Sequence, residues 1–279
     1  MSSNLSSHPA APIALLTDFG SADGYVAVMK GVILGLVPGL SLIDITHDIR
    51  PQDISAGAWV LATSYRYFPR ETIFVCVVDP GVGSQRLPVA FRAGEWFFVG
   101  PNNGLFSYVV QEQTVHEAVA LTNSAYHRVQ VSATFQGRDI FSPVAASIAN
   151  AVSLANLGSA IQPSALSRLD IVPPLLQNER VSAQIVHVDH FGNLVTNVPL
   201  SMLPDFFRYA SVQLQFARTG GIVSARRRFF ADSLDKPEDT QQPFLYVDSS
   251  GYIGIALQNG NASNVLHMTD GERVILTYS

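Results

Sequence analysis

Three polar clusters each follow a short apolar run. They are Thr17-Asp18-Phe19-Gly20 with Asp23, Asp44-Ile45-Thr46-His47-Asp48, and Asp79-Pro80-Gly81-Val82-Gly83, with Arg86 seven residues after Asp79. A carboxylate such as Asp79 can orient or deprotonate a water. An Asp–Arg pair serves equally well as a structural salt bridge. The glycines of the third cluster lack the phosphate-loop and dinucleotide-loop spacings, which argues against phosphate cradling. Asp44, His47 and Asp48, or His187, Asp189 and His190, offer metal-ligand types without a recognised metal spacing. Turn-capping carboxylates and hydrogen-bonded imidazoles account for both sets. No G-x-S-x-G elbow is present, so a serine nucleophile of that kind is excluded.

Ligands of open α/β sheets bind beyond the carboxyl ends of strands, so the elements before these clusters matter. Ile13–Phe19, Leu42–Ile45, Thr72–Val78, Leu87–Phe91 and Trp96–Val99 read as strands. The continuous β-branched run of the third suits a central strand covered on both faces. Tyr25–Val37 has helical spacing and stops at Pro38-Gly39. Asp53 is placed to cap a helix running to Tyr67, and Phe141–Leu154 reads as a helix rich in small residues. Interleaved strands and helices predict an α/β domain over 1–160 with a mostly parallel or mixed sheet. Ile161–Arg180, with three prolines and little periodicity, reads as a linker. Val181–Val188, Ser211–Phe216, Gly221–Phe230, Phe244–Val247, Tyr252–Leu257 and Arg273–Tyr278 are short strand patterns between turn residues. They predict a smaller all-β barrel domain over 181–279. Arg226-Arg227-Arg228 reads as a solvated strand or turn.

The 279 residues are 47% hydrophobic and 14% charged, the reverse of a disordered chain. The net charge is −5 and only Lys30 and Lys236 are lysines, which argues against nucleic-acid or anionic-membrane surfaces. Cys76 is the one cysteine; it lies in an apolar run and reads as a buried thiol, with no disulfide or cysteine-based zinc site. No Lys or Arg precedes Lys30, as a signal peptide would require, and no run approaches the roughly 20 apolar residues of a membrane span. The expectation is a soluble, cytoplasmic protein.

Eight motifs occur in order: Leu16-Thr17-Asp18-Phe19-Gly20, Asp23-Gly24-Tyr25-Val26, Met29-Lys30-Gly31, Asp44-Ile45-Thr46-His47, Val78-Asp79-Pro80-Gly81-Val82-Gly83, Gly100-Pro101-Asn102-Asn103-Gly104-Leu105, Gly137-Arg138-Asp139-Ile140-Phe141 and Asp189-His190-Phe191-Gly192-Asn193. Together they resemble the S-adenosyl-L-methionine hydroxide adenosyltransferase family, the hydrolytic relatives of fluorinase and chlorinase, from about Ile13 to Tyr278. Each motif is weak alone, and eight in register are specific. The resemblance implies an N-terminal α/β domain, a C-terminal β-barrel and a homotrimer with active sites between subunits. It implies attack of water or hydroxide on C5′ of S-adenosyl-L-methionine, giving adenosine and L-methionine, with no metal or organic cofactor.

The family's catalytic Asp and Arg match Asp79 and Arg86. Its histidine, in T-F-H-G-R-D, is replaced by Gln136 in Thr134-Phe135-Gln136-Gly137-Arg138-Asp139. An amide can hydrogen-bond a water but cannot take its proton. A second reading is therefore a catalytically impaired S-adenosylmethionine or adenosine binder. A third is a metal-assisted hydrolase using the His187–His190 cluster. The halogenating relatives carry a residue other than Asp at the place of Asp79, and a carboxylate there repels halide. By the same carry-over, Asp18 is expected to hold the ribose diol, and Asp23 and Asp189 to face the methionine ammonium. Gly137 is expected to bind the substrate, Phe191 and Asn193 to frame the adenosine, and Ser249 to lie near the methionine carboxylate. Asn259 and Ala262 bound the stretch expected at the adenine edge.

Overall fold

The computed structural model describes residues 11–230 and 242–279. They form two compact units that divide between Leu169 and Asp170. The first contains β1 (Ile13–Thr17), α1 (Tyr25–Leu36), β2 (Leu42–Thr46), α2 (Ile54–Ser64), β3 (Ile73–Val77), β4 (Pro88–Ala93), β5 (Trp96–Pro101), α3 (Ser107–Glu112), β6 (Val115–Ala120), α4 (Ser142–Ala149), α5 (Leu154–Leu157) and β7 (Ser159–Ala160). The strand order is β2-β1-β3-β5-β4-β6-β7. β2, β1, β3 and β5 run parallel, whereas β4, β6 and β7 pair antiparallel, so the sheet is mixed as the sequence predicts.

Alternation along the central strands feeds two cores. Ile13 and Leu15 of β1 join Ile73, Val75 and Val77 of β3 on the face covered by α1 and α4. Ala14, Leu16, Phe74, Cys76 and Val78 point the other way, under α2 and α3. That is the period of two expected of a strand buried on both faces. Cys76 lies within this core, and burial pushes its thiol pKa up. Asp53 caps α2 by accepting from Ala56 N at 2.8 Å, and the helix runs on into a 3-10 turn at Tyr65–Tyr67.

The helix expected over Phe141–Leu154 is shorter. A π-helical turn, Gly137–Phe141, leads into α4, and the chain then reverses through Ala151 at φ 61° before α5. β6 was not predicted, because His116 and Glu117 interrupt its apolar run. Within the predicted linker, Asn102 holds Ala165 O and Ser167 N at 2.9 and 2.7 Å, tying that stretch to the first unit.

The second unit holds β8 (Leu175–Gln177), β9 (Arg180–Val188), β10 (Leu194–Pro199), β11 (Val212–Phe216), β12 (Ile222–Val223), β13 (Phe244–Val247), β14 (Tyr252–Ala256), α6 (Ala262–Leu266) and β15 (Arg273–Tyr278). They form one antiparallel path, β12-β11-β15-β9-β10-β14-β13, with β8 on β9. The residues after β12 return to β13: Leu245 N donates to Ala225 O at 2.7 Å and Arg227 N to Leu245 O at 3.0 Å. This nearly closes the sheet into a barrel around Val181, Ile185, Leu214, Phe216, Ile253 and Ile255.

Two expectations are corrected here. The strand predicted over Gly221–Phe230 shrinks to Ile222–Val223 plus a single bridge at Arg226. The triple arginine is not simply solvated. Arg226 donates to Phe206 O and Tyr209 O, and Arg227 is 6% exposed with its guanidinium 4.4 Å from the Phe244 ring centre. Their donors close the barrel seam, and the alkyl stems pack where the charge pattern suggested water. β10 was missed because Thr196 and Asn197 break its apolar run. Both are buried and bonded, Thr196 to Ile253 O at 2.6 Å and Asn197 to Val172 O at 2.8 Å. Among the described residues no helix is long and apolar enough to cross a membrane.

Candidate active site

β1 lies between β2 and β3, so the chain leaves β1 toward one side of the sheet and reaches β3 on the other. The carboxyl ends diverge at this switch point, where open α/β sheets place ligands. The pairing of Thr17 with Val77 sets Asp18 level with the turn that begins at Val78-Asp79.

Asp79 and Arg86 meet there, with side chains 4% and 10% exposed. Arg86 Nε donates to Asp79 Oδ1 at 2.9 Å and Nη2 donates to Oδ2, a bidentate pair. The guanidinium also lies 5.7 Å from the Phe141 ring centre. The connecting loop is tight, with Val82 N on Asp79 O and Ser84 N on Gly81 O. Gly83 has φ 80°, and a Cβ there would sit 2.7 Å from Ala133 O. The glycine therefore lets the 79–86 loop lie directly against the segment that carries Gln136.

One polar atom on each of these segments is buried without a hydrogen-bond partner among the described residues: Arg86 Nη1 and Gln136 Oε1. One is a donor and the other an acceptor. Buried polar atoms are ordinarily satisfied, so each needs an explanation. Gln136 stands at the head of the π-helical turn, beside the buried Gly137. Phe19, Tyr25 and Phe135 add an aromatic cluster with ring centres 5.3 to 5.9 Å apart. The sequence reading had no grounds for it, because the three rings come from three segments.

Asp18 Oδ2 accepts from Gln52 N at 2.8 Å. Asp23 is exposed at the head of α1 and Asp18 is half-buried. The second polar cluster acts as scaffold. Thr17 Oγ1 meets His47 Nδ1 at 2.9 Å, and Gly20 N donates to His47 O at 2.7 Å. Asp44 lies 2.6 Å from Lys30 Nζ and 2.9 Å from His47 Nε2. Burial opposes ionisation of Asp44, but these two partners outweigh it and hold the carboxyl below its ordinary pKa.

In the second unit the β9–β10 turn is built on Asp189. Its Oδ1 accepts from Phe191 N at 2.9 Å and Asn193 N at 2.8 Å, and its Oδ2 from Asn193 Nδ2 at 2.8 Å. Both oxygens are engaged within the turn. Among the described residues no group of three His, Cys, Asp or Glu is arranged to hold a metal ion. The turn presents Phe191, 72% exposed. Gly192, at φ 82°, packs on Asn261: a Cβ would lie 2.1 Å from that side chain. Ser263 N donates to Gly192 O at 2.9 Å. Phe191 and Asn193 are thus brought beside Asn259 and Ala262, as one loop cluster. Ser249 lies in the exposed β13–β14 turn, next to Asp248.

Fold and site together define a two-unit enzyme, α/β followed by an antiparallel barrel, whose polar centre is a buried carboxylate, a guanidinium and an amide. Residues 13–158 match the SAM hydroxide adenosyltransferase N-terminal domain and residues 183–275 its C-terminal domain. A (R)-S-adenosyl-L-methionine hydrolase of Salinispora tropica is 39% identical, covering 95% of this chain and 97% of that protein. One from Thermus thermophilus is 32% identical over 95% and 99%. A fluorinase of an Actinoplanes species is 27% identical over 88% and 90%. The crystal structure of an uncharacterized conserved protein from Thermotoga maritima superposes with a TM-score of 0.87 at 32% identity, covering 95% of this chain and 99% of that one. The chain belongs to the SAM hydroxide adenosyltransferase family.

Proposed function

We infer that this protein hydrolyses S-adenosyl-L-methionine to adenosine and L-methionine, with a water held by Asp79, Arg86 and Gln136 as nucleophile. The water oxygen bonds to C5′ as the C5′–S bond breaks. The electron pair stays on sulfur as a neutral thioether, and the water's proton leaves by way of the Asp79 carboxylate. The sulfonium is already an activated leaving group, so the chemistry asks for no general acid and no metal. The sulfonium's positive charge and the Asp79 negative charge are both discharged as the carboxylate takes the water's proton, so a site with little water favours the reaction. Placing one water in line with C5′ and sulfur is a proximity task.

The observation that carries this reading is the buried Asp79–Arg86 pair with Arg86 Nη1 unpartnered among the described residues, and a second such atom, the acceptor Gln136 Oε1, on the segment packed against its loop. The donor suits a water lone pair and the acceptor suits a water hydrogen. A binding-only role is less well supported, because full-length relatives 31 to 39% identical are named hydrolases. Asp18 binds the ribose diol and Asp23 the methionine ammonium. Phe191, Asn193, Asn259 and Ala262 frame the adenosine, with Gly137 beside the reacting centre and Ser249 toward the methionine carboxylate. Asp189 acts toward the ammonium while holding the turn. The set is divided between the two units, and we place each complete site between neighbouring subunits of a homotrimer.

The test is release of adenosine from S-adenosyl-L-methionine, followed by chromatography. Asp79→Asn is expected to lower kcat by about 10²-fold or more, the scale of a lost acid–base or electrostatic contact. Substrate binding by calorimetry should stay within about threefold, since a contact made only in the transition state does not weaken the ground state. Equal loss of binding and turnover would move Asp79 into the binding set.

A further inference from the structure

We infer that Asp139 is a positioning residue for this reaction: it clamps the 128–136 segment so that Gln136 and Ala133 are held against the Asp79–Arg86 loop. The inference rests on the hydrolytic reading above. Asp139 is 0% exposed and gathers donors from both ends of the segment. Its Oδ2 accepts from Ser132 N at 2.8 Å and from Arg138 Nη2 at 2.8 Å. Its Oδ1 accepts from Arg138 Nε at 2.7 Å and lies 3.4 Å from Arg128 Nε. Its own backbone closes the ring, with Arg128 N on Asp139 O at 2.9 Å and Asp139 N on Phe135 O at 3.2 Å. The π-helical turn Gly137–Phe141 places this side chain in the interior, and such turns recur at functional sites.

Besides Phe135, the segment has little apolar burial to hold it. None of residues 128–136 is buried, and Val129 is fully exposed. Apolar packing holds the stretch at Phe135, against Phe19 and Tyr25, and does not fix residues 128–134; segments of that kind open locally at low cost. Charge-assisted bonds to a buried carboxylate are the strong alternative. Burial opposes ionisation of Asp139, but the Arg138, Ser132 and Arg128 contacts outweigh it, and the group is held below its ordinary pKa. From Ser132 the path is short: Ala133 O packs on Gly83, and the Gly83 loop joins Asp79 to Arg86. Loosening the clamp moves Gln136 and the glycine loop together.

The experiment is Asp139→Asn in the full-length protein, with kcat, KM for S-adenosyl-L-methionine and hydrogen exchange of the 131–136 amides. The asparagine keeps an acceptor for Ser132 N–H and loses the charge. A misplacement of this scale lowers kcat by about 10²-fold. KM is expected to stay within twofold, and the 131–136 amides to exchange faster at a temperature where the variant remains folded. Unchanged kcat in a folded variant overturns the inference, and so does a rise in KM that matches the fall in kcat. If Asp139→Asn does not fold, Arg138→Met removes two donors from a half-exposed position and is expected to shift kcat and exchange in the same directions. Unchanged values there overturn the clamp. If the wild-type protein releases no adenosine, the hydrolytic reading fails by itself. The exchange data then decide alone: faster exchange upholds the clamp, and unchanged exchange ends it.

Discussion

Gln136 is the residue at which this chain parts from the T-F-H-G-R-D pattern it resembles, and its chemistry defines a sharp test. Its carbonyl oxygen is buried and without a partner among the described residues, so it can accept a hydrogen bond from a water. It cannot take the proton that an imidazole at the same place would share. Gln136→His is therefore expected to raise the single-turnover rate, toward the low end of the ~10²–10⁴-fold range of general acid–base assistance, because Asp79 already accepts a proton. The gain should follow a new titration near ~6.5, rising as pH passes upward through it and the imidazole becomes neutral. Rates from pH 5 to 9 in both proteins settle the point. An equal or slower rate in Gln136→His means that the amide itself orients the water better than an imidazole does. At this scale the Asp79–Arg86 pair is legible in the sequence, and the two form a buried bidentate pair. The role of Asp139 was not legible. Its motif was visible, but a π-helical turn leaves no periodicity that would turn Asp139 inward among three segments.

At the scale of elements, β3 and the Asp53 cap could be read directly, because continuous β-branched burial and an N-cap before an apolar run are local signals. β10 could not, because its buried Thr196 and Asn197 are satisfied by partners 57 and 25 residues away in sequence. The β9–β10 turn shows how one element serves the site. Asp189, which the resemblance assigns to a ligand ammonium, also receives Phe191 N, Asn193 N and Asn193 Nδ2 within the turn. The carboxylate fixes the turn that presents the Phe191 ring. Gly192 is the sensitive position. An alanine there takes on the left-handed conformation at roughly 1–2 kcal/mol. It also drives its Cβ into Asn261, which caps α6 through Asn264 N at 2.7 Å. Gly192→Ala is expected to lower the melting temperature and to raise KM several-fold with kcat changed less, since the reacting centre lies in other segments. Steady-state kinetics with a thermal melt checks this. A destabilised variant with unaltered KM would remove the 189–193 and 259–262 cluster from the binding site.

For the whole molecule, the open matter is which chain completes which site. The α/β unit carries Asp18, Asp79, Arg86 and Gln136. The barrel unit carries Phe191, Asn193, Asn259 and Ala262, with Phe191 largely exposed. If complete sites form between neighbouring subunits, two different defects can be separated by mixing. Asp79→Asn spoils the first half of a site and Phe191→Ala the second, so each homotrimer should be nearly inactive. In trimers reassembled from equal amounts, a site is intact only when its first half comes from a Phe191→Ala chain and its second from an Asp79→Asn chain. Random assembly around a closed ring gives this combination at about one site in four, so the mixture should recover about a quarter of wild-type activity. If one chain supplies both halves, every site keeps one defect and mixing restores nothing. The measurement is adenosine release after co-refolding or co-expression, with unmixed variants at the same total concentration as controls. Recovery on mixing would also establish that chains associate through these surfaces in solution. Its absence, from a mixture whose trimers are shown by mass to contain both chains, would place each site within a single chain.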